Sequence, residues 1–199
     1  VDEFPKAPDH LDWEFYVGPA TWTPFHEKRY DWDWRWWMAF GGGQMMDWIG
    51  HHADIAHMGM GWDNTGPQKV EGIRWEPVKE RNNLYDAPAR YMFRCEYPGG
   101  VELLVANQSD MPDEFEGKGN LGTMFIGTRD RWCYVDRGEL RASDPELLRD
   151  PFDKKDFRFR RGGNHMTDFV KCVFQREECI APVNAGHRSE PTEIPRRRV

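Results

Sequence analysis

The chain has 199 residues, a length that a single domain fills easily. Apolar residues make up 39% of it and aromatic residues 14%, which excludes a disordered or collagen-like chain. The 27 Lys and Arg against 34 Asp and Glu give a net charge of −7, which disfavours a nucleic-acid-binding protein. No apolar run approaches the roughly 20 residues of a transmembrane helix, so we expect no membrane partner.

Residues 1–40 are rich in proline and aromatic residues and show no sustained hydrophobic period. We therefore predict an irregular, aromatic-rich arm that leads into the main domain and wraps a pocket or another domain. The chain has ten tryptophans, and five of them lie close together, at Trp32, Trp34, Trp36, Trp37 and Trp48. Such a cluster fits ordinary core packing, a protein interface or a platform for a sugar ring.

Two segments have the apolar spacing of α-helices. Residues 44–60 are the stronger candidate, because Gly59, Gly61 and a turn-like run close the segment. Residues 164–176 are the second, with an apolar stripe at Met166, Phe169, Val170 and Val173.

Short runs of β-forming residues lie between these two helices. Turns at 98–100 and 136–138 predict two antiparallel hairpins. The pattern predicts an α+β fold with an open, mostly antiparallel sheet and helices on one face. The predicted strands are residues 70–75, 89–97, 101–106, 123–126, 131–135 and 139–142.

The remaining segments are charged or terminal. We predict mobile loops at 108–120 and 148–163, a main domain at 41–187 and a frayed tail at 188–199. Residues 117–122 match the G-x-G-x-x-G pattern of dinucleotide sites. Acidic residues precede this pattern and a strand follows it, whereas a nucleotide site needs a preceding strand and a following helix, so we interpret it as a loop.

The strongest chemical signal is on one face of the first helix. Asp47 and His51 are four residues apart, so the carboxylate can hold the imidazole and fix its tautomer for acid/base catalysis. Asp54 lies on the same face, and a solvated ion pair or a metal site would also fit this spacing. His52 lies on the apolar face and is expected in the core. We predict no metal, because the face offers a single imidazole and the four cysteines form no C-x-x-C pair.

The segment before this helix has the composition of a sugar or polyol site. Trp34 and Trp36 can stack on the C–H faces of a sugar, and Arg35 between them can bind its hydroxyl groups. The three glycines Gly41–Gly43 allow the backbone to approach a ligand closely. We therefore predict substrate contacts at Arg35, Trp34, Trp36 and Asp54.

The run from Gly41 to Ile55 resembles the G-G-x-x-x-D-x-x-x-H-x-x-D helix of the Gfo/Idh/MocA oxidoreductases, the glucose-fructose oxidoreductase and inositol dehydrogenase superfamily. The resemblance continues through residues 125–128, 134–138 and 186–189. It covers the C-terminal domain of that family, whose open sheet mediates oligomerisation, so it implies a homo-oligomer. By position, His51 would be the general acid/base at a sugar hydroxyl, with Asp47 as its partner.

The resemblance also implies NAD or NADP as cofactor, with a contact at Gly43, and hydride transfer as the reaction. The Rossmann domain that binds this cofactor in the family has no counterpart here, so we expect the chain to be inactive alone. A non-catalytic carbohydrate-binding or scaffold domain and a metal-dependent lyase or hydrolase are the alternatives. The chain begins at Val1 instead of Met, so the compartment stays open; the cytoplasm is favoured and export is compatible.

Overall fold

A computed structural model describes residues 4–77, 85–111, 121–149 and 164–190. These residues have the α+β architecture that the sequence predicts. The helix predicted at 44–60 and the one predicted at 164–176 are both present, and two short helices were not predicted. The four α-helices of the described residues are α1 (Trp13–Val17), α2 (Gly43–Met60), α3 (His165–Gln175) and α4 (Val183–Ser189).

The six predicted strands are all present, and they form two antiparallel sheets of three strands each, in the orders β1-β2-β3 and β4-β5-β6. Both predicted hairpin turns join neighbouring strands, and Gly99, Gly100 and Gly138 adopt the positive φ that these tight turns require. The strands are β1 (Lys69–Pro77), β2 (Pro88–Tyr97), β3 (Val101–Ala106), β4 (Thr123–Ile126), β5 (Trp132–Asp136) and β6 (Glu139–Ala142).

The described residues divide into two compact units. The first unit consists of the described residues within Val1–Ile49 and Lys69–Met111. It therefore contains the arm, the first turns of α2 and the sheet β1-β2-β3. The second unit consists of those within Gly50–Gln68 and Pro112–Glu193, and contains the rest of α2, the sheet β4-β5-β6, α3 and α4. None of the helices in the described ranges has the length and hydropathy to cross a membrane.

The arm has a small hydrophobic core of its own. Trp13 and Val17 of α1 pack with Phe25, and the Trp13 indole donates a hydrogen bond of 2.9 Å to the Thr23 carbonyl. Asp12 caps α1, because its carboxylate accepts from the Phe15 amide. The arm is thus less irregular than expected; it also contains 3₁₀ helices at Glu27–Arg29 and Asp31–Trp36.

A buried asparagine ties the start of α2 to the sheet of the first unit. The Asn107 side chain accepts from the Tyr91 amide at 2.5 Å and donates to Gln44 Oε1 at 3.1 Å.

Strand β2 contributes the buried side chains Tyr91, Phe93, Cys95 and Tyr97, of which Cys95 is fully buried. Burial raises the pKa of the Cys95 thiol to about 11 and that of the Tyr91 hydroxyl to about 12.

The beginning of the predicted loop at 108–120 is ordered, which corrects the expectation of a mobile segment there. Gln108–Asp110 form a 3₁₀ turn, and the Asp110 side chain is fully buried while it accepts hydrogen bonds from Arg74 and Arg90. Burial alone would raise the pKa of Asp110, but the two guanidinium groups outweigh it and lower the pKa. Residues 112–120, with most of the glycine pattern, lie outside the described residues.

In the second unit, the Thr123 hydroxyl donates to the His52 carbonyl at 2.5 Å and so attaches α2 to β4. Asn164 caps helix α3, because its side chain accepts from the Met166 and Thr167 amides. Residues 188 and 189 of the predicted tail belong to α4. The second predicted loop and the rest of the tail fall largely on residues 150–163 and 191–199, which lie outside the described residues.

Candidate functional site

Three of the predicted site residues, Arg35, Trp36 and Asp47, come together in the first unit. Arg35 Nη2 donates to Asp47 Oδ2, and the Arg35 guanidinium also lies over the Trp36 ring at 4.4 Å from its centroid. The Arg35 and Asp47 side chains are 35% and 29% exposed, so solvent or a ligand can reach the pair. The Arg35 Nε–H is buried and has no acceptor among the described residues. This arrangement presents a charged hydrogen-bonding pair beside an aromatic surface.

The glycines before α2 bring this pair together. A Cβ on Gly41 would lie 2.5 Å from the Arg35 Cα and 2.7 Å from the Trp34 ring, so the 3₁₀ helix of the arm rests directly on this residue. Gly43 is buried with φ +70°, and a Cβ there would lie 2.7 Å from the Ala87 Cβ. The lack of a side chain at Gly43 therefore has a reason within the chain itself. Its cofactor contact stays a prediction.

Trp34, a predicted substrate residue, lines an open cavity of about 420 Å³ in the arm. Its indole is 42% exposed, and Tyr16 and Phe40 contribute further aromatic rings. A volume of this size is in the range of small-molecule sites. Tyr16 and Phe40 are not among the predicted site residues; the aromatic richness of residues 1–40 was their only signal in the sequence.

The remaining predicted residues, His51 and Asp54, lie on the part of α2 that belongs to the second unit. His51 is exposed and Asp54 is half-buried. Asp54 acts on the buried His57. Desolvation lowers the pKa of His57, and the negative charge of Asp54 opposes this effect because it favours the protonated imidazole.

His52 is partly buried, as the sequence predicts, but it has a polar neighbour that the sequence did not indicate. Its Nε2 is 3.8 Å from Asp136 Oδ1, and the two side chains are 17% and 25% exposed. Desolvation lowers the pKa of His52, and the charge of Asp136 opposes this effect. The described residues contain no group of three or more His, Cys, Asp or Glu side chains placed to hold a metal ion.

Comparison with known proteins gives one finding. The family model for the Gfo/Idh/MocA oxidoreductases that is described as "Oxidoreductase family, C-terminal alpha/beta domain" matches residues 3–131. The match spans the arm, α2, the first sheet and β4, and so it includes every predicted site residue. No curated protein matches the chain.

Proposed function

The chain belongs to the Gfo/Idh/MocA oxidoreductase family as its C-terminal α/β domain, and we propose that it forms the substrate-binding part of a sugar or polyol dehydrogenase. The observation that carries this proposal is the cluster of Arg35, Trp36 and Asp47 beside the aromatic cavity of Trp34. Sugars combine apolar C–H faces with many hydroxyl groups. A site with indole rings next to a charged hydrogen-bonding pair matches both features.

In this proposal Arg35 and Asp47 bind and orient the substrate. Asp47 Oδ2 is engaged by Arg35, which holds the carboxylate in one orientation and leaves Oδ1 for a hydroxyl donor. The guanidinium has donors beyond the one given to Asp47, and these can bind a substrate oxygen. Trp34 supplies the face on which the ring stacks, Trp36 holds the Arg35 guanidinium over its own ring, and Asp54 is a further polar contact.

His51 is the proposed general acid/base. A histidine can take the proton from a hydroxyl as the carbon is oxidised and return it in the reverse reaction, because its ordinary pKa is close to neutrality. The exposed position of His51 on α2 leaves its imidazole accessible to a substrate. Asp47, one helical turn earlier, is its proposed partner.

Members of this family typically use NAD or NADP, which would carry the hydride of such a reaction. The described residues offer no open cradle for a dinucleotide at Gly43, because Ala87 occupies the space beside it. We therefore assign no step of cofactor chemistry to this chain. Its residues act on the substrate hydroxyl.

Self-association is a further part of the proposal. The edge strand β1 exposes Ile73 and Trp75, which are 47% and 43% accessible. Apolar side chains on an open sheet of this kind favour contact with a second copy of the chain.

The test uses the complete protein that carries this domain, a panel of sugars and polyols, and both NAD and NADP. We expect turnover of at least one of these substrates, and we expect His51→Asn to lower kcat by about 10²- to 10⁴-fold without changing nucleotide affinity. His165→Asn, which replaces an exposed histidine of α3, is the matched control and should leave kcat unchanged. An unchanged kcat in His51→Asn would contradict the assigned role.

A carbohydrate-binding domain without catalysis is the second candidate, and the aromatic cavity of Trp34 favours it. The same panel separates the two functions. Saturable sugar binding that Trp34→Ala weakens, with no turnover by the complete protein, would establish binding alone.

A further inference from the structure

A second cavity lies in the arm, and the proposed dehydrogenase function does not use it. Its volume is about 390 Å³, which suits a small ligand. It contains three carboxylates and one ammonium group, so its charge is negative overall. The lining residues are Glu27, Lys28, Tyr30, Asp31, Trp32 and Asp33.

The positive group in this cavity already has a partner. Lys28 Nζ lies 2.9 Å from Asp33 Oδ2, and this pairing raises the pKa of Lys28. Glu27 also acts on Lys28 through its charge, and the carboxylates of Glu27 and Asp31 are exposed. The three carboxylates therefore outnumber the one ammonium group of the lining. The cavity therefore favours a cation over an anion or a neutral molecule.

The indole ring of Trp32 in this cavity is exposed to solvent. Trp32 is 82% exposed, and none of the described residues places a cation over its ring. Two neighbouring indoles of the arm differ in this respect, because the guanidinium of Arg35 lies over Trp36 and that of Arg29 over Trp37, each at 4.4 Å. The arm thus covers Trp36 and Trp37 with its own cations and leaves Trp32 beside carboxylates.

We propose that this cavity binds a small organic cation that carries an ammonium or guanidinium group. The face of Trp32 would attract the cation through the ring quadrupole, as Trp36 and Trp37 attract their arginines. Asp31 and Glu27 would neutralise its charge. The Tyr30 ring packs against Phe25 of the arm core, with 5.7 Å between the ring centroids, and forms one wall of the cavity.

The probes are choline, agmatine and 3,3-dimethylbutan-1-ol, the neutral isostere of choline. Each is titrated into the ¹⁵N-labelled chain while the indole N–H signal of Trp32 is followed; the loss of that signal in Trp32→Phe assigns it. We expect both cations to shift the Trp32 signal saturably, more weakly at high salt, and the neutral isostere to produce no saturable shift. Equal binding of choline and its isostere, or no saturation by either cation, would overturn the proposal.

Substitutions identify the groups that bind. Asp31 has φ +58°, a conformation that asparagine also tolerates, so Asp31→Asn removes the charge and keeps the backbone. We expect Asp31→Asn and Trp32→Ala each to weaken choline binding by about fivefold. Isothermal titration calorimetry measures this, because Trp32→Ala lacks the indole signal. The matched controls are Asp130→Asn, an exposed aspartate with φ +57°, and Trp22→Ala, an exposed tryptophan of the arm; both should bind as the unsubstituted chain does.

A final set of titrations separates this cavity from the proposed sugar site. Glucose and inositol are titrated in the same way. Their failure to shift the Trp32 signal supports a site for cations, whether or not the complete protein turns over a sugar. Tighter binding of a neutral sugar than of choline at Trp32 would overturn the proposal and assign the cavity to carbohydrate.

Discussion

In the arm, Trp13, Val17 and Phe25 pack against one another and are at most 9% exposed. In helix α3 the regularly spaced apolar side chains are the exposed ones; Phe174, for example, is 84% exposed. Yet the arm has no hydrophobic period, whereas α3 has a clear one. The apolar side chains left exposed on α3 are Met166, Phe169, Val170, Val173 and Phe174.

The difference teaches that a hydrophobic period determines the type of element, while burial depends on what lies opposite. Helix α3 uses its other face to hold the loop that follows it. Asp168 Oδ2 accepts from the Ile180 amide at 2.9 Å, and the buried Cys172 thiol donates to the Glu178 carbonyl. The arm buries Trp13 and Phe25 because short helical turns separated by proline and glycine fold it back on itself.

The largest expected effect is the loss of stability when the core of the arm is changed. Trp13→Ala removes an indole from its core and the hydrogen bond to Thr23, so we expect the free energy of unfolding to fall by about 3–5 kcal/mol. Chemical denaturation followed by circular dichroism measures this loss. Trp22→Ala, at an indole that is 67% exposed, is the control and should change stability by less than about 0.5 kcal/mol. Similar losses in the two variants would contradict an independent core in the arm.

An intermediate effect concerns His57, which is 99% buried in α2 against Trp62. Burial lowers the pKa of His57 from its ordinary value of 6.5, against the charges of Asp54 and Asp63. The unfolded chain therefore takes up a proton first as the pH falls. Stability should be complete above pH 6.5 and should decrease below it until the folded-state pKa is reached.

Urea denaturation between pH 7.5 and 5 measures this slope. We expect His57→Gln to reduce it, because glutamine does not titrate. A residual slope is expected from His52, whose pKa desolvation also lowers. The control His165→Gln should leave the slope unchanged, and an unaltered slope in His57→Gln would refute the assignment.

The smallest expected effect is the change in stability when an exposed side chain of α3 is replaced. Phe174→Ser alters an exposed ring, so we expect the free energy of unfolding to change by no more than about 0.5 kcal/mol. Asp168→Ala, on the opposite face, should cost about 1–2 kcal/mol because it leaves the Ile180 amide without its acceptor. Denaturation of the two variants side by side measures both values. A loss above about 1 kcal/mol in Phe174→Ser would mean that this face is covered.

Much of the fold could be predicted from the sequence. Helix α2 and all six strands follow from local patterns of apolar residues and turns, and β3, β4 and β6 have the predicted bounds. The division of the strands into two sheets could not be predicted, because strand pairing depends on contacts between distant segments. Helices α1 and α4, of five and seven residues, are too short to show a period.

The sequence draws attention to the residues of the candidate site but does not show how their side chains pair. Helical spacing directs attention from Asp47 to His51, four residues away. The structure adds Arg35 as a partner of Asp47, twelve residues earlier in the chain. That pairing depends on the close packing of Gly41 against the arm, which no local pattern reports.

The buried carboxylate of Asp110 has a consequence for strand alignment. Strand β1 is exposed along most of its length and bulges between Gly72 and Arg74, so apolar burial does little to define its register on β2. A slip by one residue would carry Arg74 to the opposite face of the sheet. Asp110 would then be buried with one guanidinium instead of two. A single side chain beyond β3 thereby favours the correct alignment of β1 over its slipped alternatives.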